Sequence, residues 1–304
     1  MANPILRLRR VFAFAIESTA GTPVALTGDT FFCFDAVMTP EISMHDRQAT
    51  GSLSKLASIP AGRKAKFTFS VELAGGGSTT LPAWNAINSC CGLLTTGSVL
   101  TCTSSTANYS TCTIGLYEDG RFKTMSGCMG KWSLEGEYGK PLMIKYEFEG
   151  VWQGVTTVAM PALPAFTTSP PRFAGATLTL GSYTPQISKF SLDSGNKITV
   201  VEDVTQASAY SRAIVVDRNV KGKMDPIAVT PATYDFYGLW QSGTSAALSL
   251  TVGSVTDNTI AISIPYCQTT NVTDTNREDL VVDDLDFMAT VSTTADTELS
   301  ITFS

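Results

Sequence analysis

The fold class this sequence predicts is mainly β: two tandem copies of one unit, each built of strands with one α-helix among them. Three observations predict it. Of 304 residues, 43% are hydrophobic and only 16% charged, with Thr, Ser and Gly taking up the difference. That balance favours pleated strands joined by turns. Short segments in which apolar and polar residues alternate recur along the chain. Finally, the order of those segments is written twice.

The elements follow in chain order. A basic stretch precedes the apolar run Val11–Ile16 and imitates a signal peptide, but Glu17 ends the run. It is too short for a signal core or a bilayer span and reads as an arm entering a strand. "TPEIS" (Thr39–Ser43) returns as "TPQIS" (Thr184–Ser188). "AGRKAKFTFSVELAGGG" (Ala61–Gly77) places Phe67, Phe69, Val71 and Leu73 on one face of a half-buried strand, with Gly75, Gly76 and Gly77 as a turn. Its KAKF at Lys64 matches KGKM at Lys221, after a longer excursion in the second copy.

Each copy then shows a helix signal. Leu81–Leu94 has Pro82 in the first turn and Trp84, Ile87, Cys91 and Leu94 at helical spacing. Thr230–Gly243 offers Thr230 as a cap, Pro231 at the first helical position and Gly243 as a stop. Strands resume with Cys112, Ile114 and Leu116 matched to Ile260, Ile262 and Ile264. The last strands match Ile144, Tyr146 and Phe148 to Leu299, Ile301 and Phe303, and Trp132 to Phe287. Pro161, Pro164, Pro170 and Pro171 mark the seam, because proline interrupts helices and central strands. The expected division is a first domain over residues 1–160, a Pro-rich linker over 161–173 and a second domain over 174–304.

The first two strands of each copy are joined by a long excursion, Ser43–Pro60 and Ser188–Asp217, and in the second Ile198, Val200 and Val201 can extend a strand. Excursions this long are either solvated loops or hairpin arms that reach another subunit.

The chemistry is sparse. His45 is the one histidine, set between Met44 and Asp46. No GxSxG, P-loop or strand-linked GxGxxG occurs, so no catalytic, cofactor-binding or metal residues are assigned and the chain is not read as an enzyme. Seven cysteines without a CxxC pair suit small core residues in a reducing compartment. The acidic run Asn276–Phe287 lacks EF-hand spacing and reads as a solvated strand face and turn. The net charge of −6 speaks against holding phosphates.

Three stretches carry a resemblance: "AIESTAGTP" (Ala15–Pro23), "MGKWSLEGEYGKPLMIKYEFEGVW" (Met129–Trp152) and "VVDRNVKGKMDPIAV…DFYGLWQSGTSAALSLTVG". With the TPEIS–KAKF block, they resemble the tail tube proteins of long-tailed, non-contractile bacteriophages, in the two-domain type. The resemblance implies that each copy is a tail-tube-type β-sandwich or small barrel, flanked by one α-helix and carrying a long β-hairpin. It implies a structural virion protein, made in the host cytoplasm and placed in the tail, that assembles with itself. It implies homotrimeric, pseudo-hexameric rings stacked into a tube that delivers the genome. Tape-measure, tail-tip and terminator proteins are then partners, DNA passes without specific binding, and no cofactor or membrane takes part. An acidic lumen wall is expected. Ring-to-ring contacts are expected on the two excursions, at Met44, His45, Arg47, Lys55, Asp193, Lys197 and Glu202. Two other readings stay open: a β-sandwich carbohydrate-binding or adhesion module, and a two-carboxylate hydrolase using Glu278 and Asp283.

Overall fold

Alternating side chains and an abundance of Thr and Val produce strands almost throughout, and their pairing sets the architecture. The computed structural model describes residues 6, 9–26, 30–76, 81–163 and 169–304. The start of the N-terminal arm, Gly77 and Pro164 lie outside the described residues. The first part of the chain holds β1 (Arg10–Ile16), β2 (Thr30–Phe31), β3 (Phe34–Arg47), β4 (Leu56–Glu72), β5 (Leu93–Thr96), β6 (Val99–Cys102), β7 (Cys112–Glu118), β8 (Arg121–Glu137) and β9 (Met143–Thr157). The second part holds β10 (Thr177–Leu180), β11 (Lys189–Asp193), β12 (Lys197–Glu202), β13 (Tyr210–Asp217) and β14 (Lys221–Met224). After these come helix α1 (Phe236–Ser242), β15 (Ser245–Val252), β16 (Ile260–Arg277), β17 (Leu280–Thr290) and β18 (Ser300–Phe303).

Pairing runs β1–β7–β8–β9–β4–β3 in the first part and β10–β15–β16–β17–β14–β11 in the second, antiparallel throughout. In chain order these are the same steps. Two details recur with them. Lys66 pairs with Glu149 and Lys223 with Asp286, each as a cross-strand ion pair, at 3.4 and 2.7 Å. A bulge breaks the β8–β9 ladder between Ser126 and Met129, and another breaks β16–β17 between Thr269 and Asn271. Two junctions join the parts into one sheet: β8 pairs with β11, and β6 pairs with β18. A single aromatic-rich core spans both, holding Phe12, Phe67, Phe69, Trp132, Tyr146 and Phe148 together with Phe190, Phe287 and Phe303.

The register corrects several sequence matches. Phe67 sits between Met38 and Phe148, whereas Met224 sits between Phe190 and Leu285. The counterpart of Thr39 is therefore Ser191, and not Thr184. TPEIS is strand, but TPQIS is irregular chain, its Ser188 held through the backbone N–H by Asp225 at 2.8 Å. Likewise β7 corresponds to β15 and β9 to β17. Strand β18 instead lies on β16 and reaches β6 of the first part. Strand β7 is buried along its whole length and not on alternate residues, because Phe12 and Met125 pack one face and Val11 and Phe122 the other.

The helices are shorter than the sequence predicts. Leu81–Leu94 yields a 3-10 helix at Asn85–Cys91, and Leu93 leaves into β5. Thr230–Tyr234 is a turn, and α1 begins beyond Asp235, whose carboxylate accepts the Gly238 N–H as the cap. Gly92 and Gly243 close the two helices in the left-handed region, at φ 74° and 66°.

The arm is fixed by Glu17. Its buried carboxylate accepts hydrogen bonds from Thr111 and Thr113 hydroxyls and from the Gly21 and Gly127 N–H groups, at 2.6–2.8 Å. These donors offset the cost of burying the charge. Cys33 is half-buried and the other cysteines are buried, and loss of solvent around Cys33, Cys102 and Cys267 pushes their thiols up to about 12. They are protonated packing groups.

Packing also explains why KAKF carries Ala where KGKM carries Gly. Ala65 pairs with Gly150, but its counterpart Gly222 pairs with Phe287. A methyl on Gly222 would lie 2.4 Å from the Phe287 ring and 2.3 Å from the Ser191 carbonyl oxygen. Gly222→Ala is expected to destabilise the fold by about 1–3 kcal/mol, and Gly222→Ala with Phe287→Leu to recover part of that. Chemical denaturation of the two variants reads the difference.

Candidate assembly surfaces

The strand path β3–β4–β9–β8–β11–β14–β17–β16 forms a continuous sheet with one face on the core and the other polar. Its rows can be read from the register. One row runs Ser70–Lys145–Ser133–Asp193–Lys221, and the next runs Glu72–Met143–Glu135–Ser191–Lys223–Asp286–Asn271. An open groove of about 1120 Å³ lies over its second half, lined by Glu135, Glu137, Lys189, Lys223, Asp284 and Asp286 among others. Opposite charges interleave: Lys131 meets Glu147 at 3.3 Å, and Lys64 meets Glu41 at 3.5 Å. The charge of Glu149 raises the Lys66 pKa, and the hydrogen bond from Lys223 lowers that of Asp286. Such exposed pairs add little stability. What they do is temper the local field, so that lysines and acids alternate across this face.

Both ends of that path are open edges. Among the described residues, strand β3 pairs with β4 alone, and β16 beyond Gln268 pairs only with β17. Long unpaired edges are ready templates for another strand. Inside the chain their counterparts already pair, as β11 with β8. There the Ser194 N–H donates to the Trp132 carbonyl at 3.0 Å.

The two excursions form two different hairpins. The outer ends of β3 and β4 are exposed and project, with Ile42, Met44, Leu53, Leu56 and Ile59 bare to solvent. Met44, His45, Arg47 and Lys55 all sit on this hairpin and are exposed. Hairpin β12–β13 folds back over the first part of the chain instead. Ala213 and Val215 bury Met129, with Ile198, Val200 and Tyr109 beside them. Lys197 and Glu202 are exposed on that second hairpin, while Asp193 lies in the polar face between β8 and β14 and accepts the Gly195 N–H at 2.6 Å. The structure therefore groups Met44, His45, Arg47 and Lys55 and sets the other three apart. Sequence reasoning missed the open edge of β16. The signal for it was the repeated lysine–acid pair, which aligns β9 with β17 and leaves β16 as the counterpart of β8.

The acidic run divides between elements. Glu278 and Asp279 form the β16–β17 turn at φ 50° and 66°. Asp283 faces Asp274 across the ladder, not Glu278, and Asp274 takes the Tyr237 hydroxyl proton in a hydrogen bond. Burial, followed by the Asp274 charge, raises the Asp283 pKa. Among the described residues no cluster of three or more His, Cys, Asp or Glu could hold a metal ion, and no helix is long and apolar enough to cross a membrane.

A family model described as phage tail tube protein matches residues 8–303. No curated protein matches the sequence.

A carboxyl whose pKa is raised on folding is bound more tightly to its proton in the folded state. Its destabilising effect is present at neutral pH and is relieved as pH falls through the raised value. Asp283→Asn is therefore expected to raise the melting temperature by a few degrees at pH 7 and to leave it unchanged near pH 3. Thermal melts across that range check the sign.

Proposed function

The chain belongs to the phage tail tube protein family and is a structural component of the virion tail, and from that premise we propose that it assembles with itself into closed rings that stack into a tube for genome passage. The observation that carries this reading is the match between the internal junction and the two open edges. Strand β16 is to β3 what β8 is to β11, and only the second pair is satisfied within the chain. Pairing β16 of one copy with β3 of the next gives a head-to-tail contact, which closes by rotation into a ring. The repeated pairing order supports a duplicated domain, with the division at 1–160, 161–173 and 174–304. Three copies then give a pseudo-sixfold ring.

The junction also supplies the register. The position of Ser194 falls on Ile42, so the Ile42 N–H points at the carbonyl of Asp274 in the next copy. Alternate residues of a strand point the same way, so Pro40 faces that edge too. A proline there removes one donor and blunts the edge against wrong partners.

Ring closure turns the polar sheet face inward as the lumen wall. Its interleaved lysines and acids present phosphates with neither a basic track to bind nor a strongly repelling wall. Met44, His45, Arg47 and Lys55 on the projecting hairpin bridge neighbouring copies. Lys197 and Glu202 offer a smaller exposed contribution.

Electron microscopy of the purified protein is expected to show hollow rings or tubes with six lobes and threefold symmetry. Ile42→Pro removes an edge donor without touching the β3–β4 bonds. It is expected to leave the far-ultraviolet circular dichroism unchanged and to abolish the rings. Rings formed equally well by Ile42→Pro would overturn the edge-pairing reading.

A further inference from the structure

At the internal junction the core runs across the seam without charge. Trp132 on β8 and Tyr146 on β9 face each other across their ladder. Ser194 of the second part lies beside Trp132, its hydroxyl accepting the Trp132 N–H at 3.2 Å, and Val220 belongs to the same core. None of the four is more than 2% exposed. The ion pairs Lys66–Glu149 and Lys223–Asp286 fix the counterparts of these positions. Along the ladders, Trp132 and Tyr146 answer to Asp274 and Asp283, which likewise pair across β16 and β17. Ser194 and Val220 answer to Ile42 and Arg63, which pair across β3 and β4. The second set is charged where the first is not. Arg63 continues the core face of Phe67 and Ala65 by strand alternation, yet it is exposed. Asp283 is 4% exposed and meets Asp274, while the Tyr237 hydroxyl donates its one proton to Asp274. Among the described residues, neither acid nor Arg63 has an ion-pair partner within the chain.

We propose that Arg63 of one copy completes the Asp274–Asp283 pair of the next, so that an ion pair closes each joint of the ring where uncharged packing closes the junction inside the chain. This deepens the ring reading and rests on it. With Ile42 opposite Asp274, Arg63 stands two strands from Asp274 on the same face, roughly 10 Å away between Cα atoms at the usual strand spacing. An arginine and an aspartate side chain together span that gap, and the planar guanidinium has donors enough for both carboxylates. The acids need such a partner: burial and then the Asp274 charge already raise the Asp283 pKa. The contrast between the two joints has a physical reason. An edge that waits in water for its partner invites aggregation if it leaves an aromatic face bare. Charged groups stay solvated in the free chain and pair when the joint closes. They also sort partners. A β3 strand that displaced β11 would bury Arg63 among Trp132 and Tyr146 without a carboxylate, and a β11 strand offered to β16 would bring Val220 onto two acids.

The test exchanges the charges. Arg63→Glu and Asp274→Arg each set like charges against one another across the joint. Each is expected to raise the concentration needed for assembly, read by sedimentation velocity, by roughly ten-fold or more, with circular dichroism unchanged. The double variant Arg63→Glu with Asp274→Arg restores opposite charges and is expected to recover most of that loss, which a merely structural role of either residue would not allow. Single variants that assemble as the wild type does, or a double variant no better than the single ones, overturn this inference and leave the rings standing. A wild-type chain that stays monomeric at every concentration overturns the ring reading and this inference together.

Discussion

The pairing of β8 with β11 is the constraint on which the rest of the structure depends. It joins the two parts of the chain into one sheet, from Glu137 opposite Lys189 to Ser133 opposite Asp193. The core faces of Leu134 and Leu192, and of Trp132 beside them, are thereby brought under a common surface. Because a strand alternates its side chains, this one register also decides which lysines and acids share the opposite face. A slip by one residue would exchange the aromatic core for the polar face.

The junction has a second consequence. A sheet that grows by adding one unit to another ends in the same two edges it began with, here β3 and β16. A monomeric protein hides such edges with short strands, charge or a covering loop. This chain keeps them long and tempers one with Pro40. In the reading proposed here, an edge that is a hazard in solution becomes the joint of the ring. Specificity then comes from the bulge in β16, the register and the charges at the joint, not from any single strong contact.

The two hairpins show how a duplicated architecture loses its symmetry. The second carries Ile198, Val200, Ala213 and Val215 and gains a buried seat on Met129. The first carries apolar residues of similar bulk, yet in the single chain Ile42, Met44, Leu56 and Ile59 stay exposed. The shared core is asymmetric in the same way. Ala65 opposite Gly150 and Gly222 opposite Phe287 fill the same kind of space with different partners, so neither part could be exchanged for the other without a void or a clash.

The sequence by itself determined the β class, the core face of β4 at Phe67, Phe69 and Val71, the repetition of the KAKF and KGKM strands, and the exposure of Met44, His45, Arg47 and Lys55. These follow from local alternation and composition, which act within a few residues. The tertiary structure alone decided that TPQIS is not strand and that β17, and not β18, answers β9. It also decided that the acids and lysines of separate strands neutralise one another on one face. Pairing partners lie far apart in sequence, and their choice is fixed by which register buries the most apolar surface at once, a property that no local window contains. The helices fell between these limits. Their stop glycines at Gly92 and Gly243 were legible, but their lengths were set by the strands that claimed the flanking residues.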